Sequence, residues 1–155
     1  GHGNKRAHNI VNSLYLKPEQ LEKNVFERYE RYEKIKETET DAEMYLTDDA
    51  EITLVAYGAT ARVVKSAVNM AREQGIKAGL VRPKTLWPFP VKQIQKAAKS
   101  AEKFLVVEMS MGQMIDDVKL ALNCEKPVEF FGRTGGVIPT PAEVLDKIKS
   151  MGGNK

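Results

Sequence analysis

Hydrophobic and polar positions change period along this chain, and the changes divide it. Residues 1–17 are polar, with a brief apolar interruption at Ile10, Val11, Leu14, Tyr15 and Leu16, and read as an extended lead-in. From Pro18 to Thr38 the pattern becomes helical: Leu21, Val25, Tyr29, Tyr32 and Ile35 recur at spacings of four, four, three and three. Pro18 suits a first helical position, and Glu19 suits the positive end of the helix dipole. Glu27 with Arg31 and Glu30 with Lys34 are favourably ordered pairs on the wet side. Two readings of this helix stand side by side. It is a surface helix packed on its own domain, or an arm lying against a partner or a further domain.

From about Asp48 the period shortens to runs of four to six apolar residues separated by helical stretches. Glu51–Ala56, Lys77–Arg82, Phe104–Glu108 and Val128–Phe131 read as strands. Helices are predicted over Ala61–Gln74, with Gly75 as its stop, and over Pro90–Ser100, Gln113–Leu122 and from Thr140 to about Met151. The last opens on Thr140-Pro141-Ala142-Glu143, a capping box with Pro in the first turn. Strand followed by helix, repeated with crossovers of about 10–20 residues, predicts a mostly parallel sheet with helices on both faces. The near-continuous apolar strands agree, since both their faces are buried. The expected organisation is a lead-in and helical arm (1–47), an α/β domain (48–151) and a frayed tail (152–155).

In such a sheet, ligands and partners meet the carboxyl ends of the strands. Four loops gather there. Tyr57–Thr60 has Gly58 and then Thr60 at a helix start, where free backbone donors can hold an anion. With neither GxGxxG nor a Walker sequence, that glycine is in most cases simply a turn. Arg82-Pro83-Lys84-Thr85-Leu86-Trp87-Pro88-Phe89-Pro90 places three prolines in eight residues, fixing φ and removing three donors. So stiff a loop presents Trp87 and Phe89 in one shape, suited to pressing on a partner or a ligand. In Glu108-Met109-Ser110-Met111-Gly112-Gln113-Met114, Glu108 ends a buried strand and Gln113 opens a helix. That carboxylate is expected to pair with Arg82 or Arg133 across the edge, the other reading being an acid or base with a raised pKa. The methionines are adaptable packing groups. In the fourth loop, Arg133 beside Gly135 and Gly136 can grip a phosphate or carboxylate. The blander reading is favoured: an Arg satisfied by backbone carbonyls or by Glu108.

Composition removes several kinds of chemistry. With 24 basic and 21 acidic residues, net +3, there is no strong field for nucleic acid or an anionic membrane. One cysteine, Cys124, rules out an internal disulfide and falls short of the roughly four thiolates an iron–sulfur cluster needs. It reads as a buried or idle thiol. Both histidines, His2 and His8, lie in the lead-in, so no Ser/His/Asp set or metal-spaced cluster can be assembled in the core. No apolar run approaches a membrane span and no signal peptide is visible, which fits a cytoplasmic setting. The chain starts Gly1-His2-Gly3 without Met and reads as a piece of something longer.

Ala56-Tyr57-Gly58-Ala59-Thr60-Ala61-Arg62, the run from Arg82 to Pro90, Val107-Glu108-Met109 with Met111-Gly112-Gln113-Met114, and Phe131-Gly132-Arg133 with Gly135-Gly136 occur in that order. Together they resemble the C-terminal part of a subunit of the 2-oxoacid:ferredoxin oxidoreductases, the branched-chain (2-oxoisovalerate) type first and the 2-oxoglutarate type next. The lead-in and long helix share the likeness, so it covers nearly the whole chain. Thr134 departs from it, since relatives often carry Pro there.

The resemblance implies a transketolase C-terminal-like α/β/α sandwich. It also implies a whole enzyme that uses thiamine diphosphate, Mg2+, iron–sulfur clusters and coenzyme A, passing electrons to ferredoxin through other subunits. This domain itself is expected to bind none of these alone. Its role is assembly and the approach of coenzyme A or substrate. Trp87, Phe89, Glu108, Met111 and Gln113 are its interface candidates. Gly58, Thr60, Arg133, Gly135 and Gly136 are its candidates for an anionic group. Two other readings remain open at this point. One is a stand-alone flavodoxin-like anion-binding module; the other is the C-terminal domain of a lipoamide-linked 2-oxoacid dehydrogenase or a transketolase-like synthase.

Overall fold

The computed structural model describes residues 3–10 and 12–152. Gly1, His2, Val11 and residues 153–155, which include most of the expected tail, lie outside the described residues. The chain separates into two compact units, 1–35 and 36–155. Helix α1, Pro18–Thr38, has the bounds the spacing predicts. Gln20 donates to Asn24 at 2.9 Å, and Lys23 pairs with Glu27 at 3.9 Å. None of its residues is buried.

The second unit is built on β1 Ala42–Tyr45, β2 Ile52–Val55, β3 Ala78–Pro83, β4 Lys103–Glu108 and β5 Val128–Gly132. They form one sheet in the order β1-β3-β2-β4-β5. Strands β2 to β5 are parallel, and β1 runs antiparallel to β3. Helices α2 Gly58–Glu73 and α5 Pro141–Met151 cover one face. Helices α3 Val91–Ala97 and α4 Met114–Ala121 cover the other. Alternate strand residues feed the two cores. Leu54, Leu80, Leu105 and Val107 pack towards α2 and α5, while Val55, Val81, Phe104 and Val106 pack towards α3 and α4. The predicted three-layer α/β/α sandwich is therefore the observed fold, with element ends shifted by at most three residues, as frayed ends usually are.

Strand β1 is an addition that periodicity does not predict, and through it the sheet takes in residues ahead of 48. Its four residues are all half-buried, so no alternation marks them. Polar ties from other elements hold it. Glu43 pairs with Lys65 of α2 at 2.7 Å and with Arg82 of β3 at 3.4 Å. Lys65, first by its hydrogen bond, keeps the Glu43 carboxyl below its usual range. The Tyr45 hydroxyl donates to Asn69 at 2.8 Å, and Lys65 sits 4.2 Å from the Tyr45 ring centroid. Arg82 therefore serves β1, and the expected pairing of Arg82 with Glu108 does not form. Cys124 is exposed, which removes its buried reading.

Arg72, in the last turn of α2, joins the segment after β1 to β3. Its Nε donates to the Ala78 carbonyl at 2.6 Å, its two terminal nitrogens to Asp49 at 2.8 and 2.7 Å, and Nη2 also to the Leu46 carbonyl at 2.8 Å. This draws residues 46–50 across Gly79. A Cβ at Gly79 would stand 2.5 Å from the Leu46 oxygen and 2.9 Å from the Ala50 Cβ. Backbone cannot yield to such a contact as a flexible side chain would. Gly79→Ala is expected to destabilise the second unit by about 1–3 kcal/mol, the scale of overpacking. A chemical-denaturation midpoint unchanged from the parent chain would refute the close approach.

Candidate functional site

The carboxyl ends of β2 to β5 bring the four predicted loops to one edge. After β2, Tyr57 takes an extended conformation (φ −129°, ψ 172°) and precedes α2 without a side-chain cap. Gly58 follows at φ +58°, a region that favours glycine. The first turn of α2 carries no acidic residue, and Thr60 is buried.

After β3, Asp41 pins the start of the proline-rich loop. Its carbonyl accepts from the Lys84 and Thr85 amides at 3.0 and 3.2 Å, and its own amide donates to the Thr85 hydroxyl at 3.1 Å. Pro88 and Pro90 are buried, and Phe89 packs half-buried against the core under α3 and α4. Trp87 stays 58 % exposed. A groove of about 630 Å³ runs beside it, lined among others by Pro88, Phe89, Val91, Lys92 and Gln93. The two aromatics of this loop thus divide their work: Phe89 holds the loop and Trp87 faces outward.

After β4, Glu108 is only 2 % exposed and, among the described residues, forms no ion pair with Arg82, which pairs with Glu43, or with Arg133, which pairs with Glu143. Its two oxygens instead accept from the backbone amides of Gln113, Met114 and Ile115 at 3.1–3.2 Å and from the Ser110 hydroxyl at 3.0 Å. Ser110 Oγ accepts in turn from the Gly112 amide at 3.0 Å. The side chain that ends one strand thus caps the next helix, placing an anion where the dipole of α4 favours one. This corrects the expected pairing of Glu108 with Arg82 or Arg133. Met111, held at the crest of the loop, is 82 % exposed, and Gln113 is exposed as well.

After β5, the Arg133 amide donates to the Glu108 carbonyl at 3.1 Å. At Gly132 a Cβ would lie 2.5 Å from the Ser110 oxygen, so a glycine lets the third and fourth loops touch. The Arg133 guanidinium bonds to Glu143, not to Glu108 or to carbonyls, and lies 5.9 Å from the Phe131 ring centroid. Its Nε is buried without a hydrogen-bond partner. Glu143 also completes the predicted capping box of α5, accepting from the Thr140 amide at 2.9 Å. The capping signal was visible in the sequence; its second use, as the acid that holds Arg133, was not. Gly135 and Gly136 follow at φ +64° and +86° and leave Val137 and Ile138 exposed.

The edge is therefore apolar and preorganised at Trp87 and Met111, while the buried Glu108 and the half-buried Arg133 are spent on holding loops. Among the described residues there is no cluster of three His, Cys, Asp or Glu placed to hold a metal, and no helix long and apolar enough to cross a membrane. The architecture defines a class: a three-layer α/β/α domain on a mostly parallel sheet. The family model of the pyruvate:ferredoxin oxidoreductase core domain II matches residues 50–144, and the chain belongs to that family.

The ketoisovalerate oxidoreductase subunit VorB of Methanothermobacter thermautotrophicus is 44 % identical over 146 residues, 94 % of this chain and 41 % of the relative. The 2-oxoglutarate synthase subunit KorA of Methanothermobacter marburgensis is 45 % identical over 111 residues, 72 % of this chain and 30 % of the relative. Among solved structures, a 2-oxoglutarate:ferredoxin oxidoreductase from Magnetococcus marinus, with 2-oxoglutarate, coenzyme A and succinyl-CoA bound, superposes with a TM-score of 0.76. It is 20 % identical, and the match covers 96 % of this chain and 27 % of that one. A split-gene transketolase matches at 0.58 over 71 % of this chain and 40 % of its own. The chain thus spans less than half the length of these relatives.

Two measurements probe the edge. Glu108→Ala leaves three helix-end amides without their anion and is expected to cost about 2–3 kcal/mol, the range for hydrogen bonds to a charged group. An unchanged denaturation midpoint would dismiss the cap. Glu143 is held below the usual carboxylate range, first by the Thr140 amide, with the Thr140 hydroxyl and Arg133 adding to it and burial opposing. A depressed folded pKa gives stability that is fully present above the unfolded value and is lost as pH falls through the folded one. Glu143→Gln is therefore expected to flatten the acid limb of the pH–stability curve; an acid limb as steep as the parent's would contradict this.

Proposed function

We propose that this chain is the core-domain-II portion of a 2-oxoacid:ferredoxin oxidoreductase subunit. The enzyme converts a 2-oxoacid anion, coenzyme A and two oxidised ferredoxins into an acyl-CoA, carbon dioxide, two reduced ferredoxins and a proton. The favoured substrate is 2-oxoisovalerate, and the observation that carries this choice is the 44 % identity to the ketoisovalerate subunit over 94 % of the chain. Thiamine diphosphate with Mg2+ supplies the carbanion chemistry in such an enzyme, and the clusters carry the electrons. The donor set here, a single cysteine and no core histidine, does not fit a cluster. The reading therefore places those groups, and contact with ferredoxin, on other parts of a cytoplasmic assembly.

This domain's own work is docking and access. Trp87, Met111 and Gln113 face the neighbouring polypeptide, with Phe89 and Glu108 fixing the loops that present them. The uncapped start of α2 at Gly58 and Thr60, and Arg133 with Gly135 and Gly136, are the contacts offered to an anionic group such as a coenzyme A phosphate. Their support is the absence of acidic residues in the first turn of α2 and the conformation of the two glycines.

The test is an assay of the assembled enzyme containing this chain, reading coenzyme A-dependent ferredoxin reduction with 2-oxoisovalerate, 2-oxoglutarate and pyruvate. The highest kcat/KM is expected with 2-oxoisovalerate. No 2-oxoacid oxidation at all would sink the reading, and a preference for 2-oxoglutarate would overturn the substrate. Trp87→Ala is expected to weaken assembly by about 2 kcal/mol or more, the hot-spot scale. Normal co-elution of that variant with its partner subunits in gel filtration would refute the anchor.

A further inference from the structure

The open edge of the sheet carries an inference that does not rest on the proposed reaction. Strand β5 closes the order β1-β3-β2-β4-β5 and, among the described residues, pairs with β4 alone. The Pro127 carbonyl accepts from the Phe104 amide at 2.9 Å, and the Arg133 amide donates to the Glu108 carbonyl at 3.1 Å. Backbone groups alternate sides along a strand, so the odd-numbered residues here turn theirs towards β4. The N–H and C=O groups of Val128, Phe130 and Gly132 therefore point out of the sheet, and among the described residues no hydrogen bond reaches them. All five residues of β5 are half-buried, and none is Pro or Lys. Such an edge is a template for another strand; proteins that keep an edge free blunt it with lysines, prolines or bulges.

The side chains specify the strand that fits. Glu129, Phe131 and Arg133 face α5: Glu129 pairs with Lys147 at 2.6 Å, Arg133 pairs with Glu143, and Phe131 packs against the core under α2 and α5. Charge is thus antisymmetric about Phe131, with an acid two residues before it and a base two residues after. A strand of this same sequence, laid antiparallel about Phe131, sets each Glu129 opposite Arg133 of the other copy. These are the non-hydrogen-bonded positions, where facing side chains stand closest and opposite charges stabilise the pair. A parallel copy in register would set like charges together. Phe130 of each copy then exchanges N–H···O bonds with Gly132 of the other, and the glycine has no Cβ to crowd the ring. Within one chain the ring already uses that space, since a Cβ at Gly132 would lie 2.5 Å from the Phe130 Cζ. We propose that this edge is the docking surface for a second copy of the chain. The copies join β5 to β5, antiparallel, with Phe131 on the twofold axis, so that two five-stranded sheets become one.

Sedimentation velocity of the 155-residue chain, from micromolar to sub-millimolar concentration, is expected to show a monomer–dimer equilibrium. Over the same range, hydrogen exchange at the Phe130 and Gly132 amides is expected to slow about tenfold or more as the dimer forms. The Glu129 and Phe131 amides, already bonded to β4, are expected to change little. Glu129→Lys and Arg133→Glu are each expected to sediment as monomers, because each places like charges across the axis. An equimolar mixture of the two variants is expected to dimerise, since every cross-strand pair is then again of opposite sign. Amides of β2 and β4 report that the domain stays folded throughout. A parent chain that stays monomeric at every concentration would overturn the proposal, and so would a mixture that does. Variants that dimerise as the parent does, or a dimer whose Phe130 and Gly132 amides exchange as fast as the monomer's, would place the interface on another surface and overturn it equally.

Discussion

One buried carboxylate organises the edge where the crossover loops of this domain converge. Glu108 ends a fully buried run of strand β4, and with 2 % exposure it cannot rely on water. An anion so placed must be matched, and the match is made by three amides at the start of α4 and one hydroxyl. Those donors come from the loop and helix that follow it, so the chain reverses around its own charge. The same residue's carbonyl holds the Arg133 amide, which ties the end of β5 to the end of β4. Two crossover loops are thus registered against one side chain, and the exposed Met111 is carried on the result.

The three longer helices near this edge treat their amino ends differently, and the difference has an electrostatic consequence. Helix α4 receives Glu108 from the preceding strand, and α5 receives its own Glu143 through the capping box. Helix α2 receives neither an acid in its first turn nor a side-chain cap. Charge of the right sign is therefore already supplied at two of these ends and left unsupplied at the third. Arg133, in the loop after β5, is engaged with Glu143, so an incoming anion would compete with a carboxylate for it.

The layers were legible in the sequence because their determinants are local. Apolar runs of four to six residues, Gly75 after α2, and the Thr140–Glu143 capping box each specify an element with no outside help. What escaped was set by distant partners. Strand β1 is four half-buried residues with no alternation, and it exists because Lys65, Arg82 and Asn69, drawn from α2 and β3, take its side chains. The pairing of Glu108 was misjudged for a related reason. Opposite charges at neighbouring strand ends look like natural partners, yet the amides of the following helix are nearer along the chain and need no second side chain to be ordered. Trp87 and Phe89 were read as one unit, but burial of Pro88 and Pro90 turns Phe89 inward and leaves Trp87 out.

A fold of this kind usually hosts chemistry where its loops converge, and here the inventory at that place is the informative fact. The converging side chains are Tyr57, Trp87, Met109, Met111, Val137 and Ile138, all exposed and each presenting a large apolar surface. The ionisable groups among the loops are already committed: Glu108 to amides, Arg133 to Glu143, and Lys84 to Asp41 at 2.9 Å. Preorganised donors aimed at a reacting atom would be left open; donors closed on one another serve geometry. Large apolar tips gathered on so rigid an edge are the physical basis of the docking role proposed above.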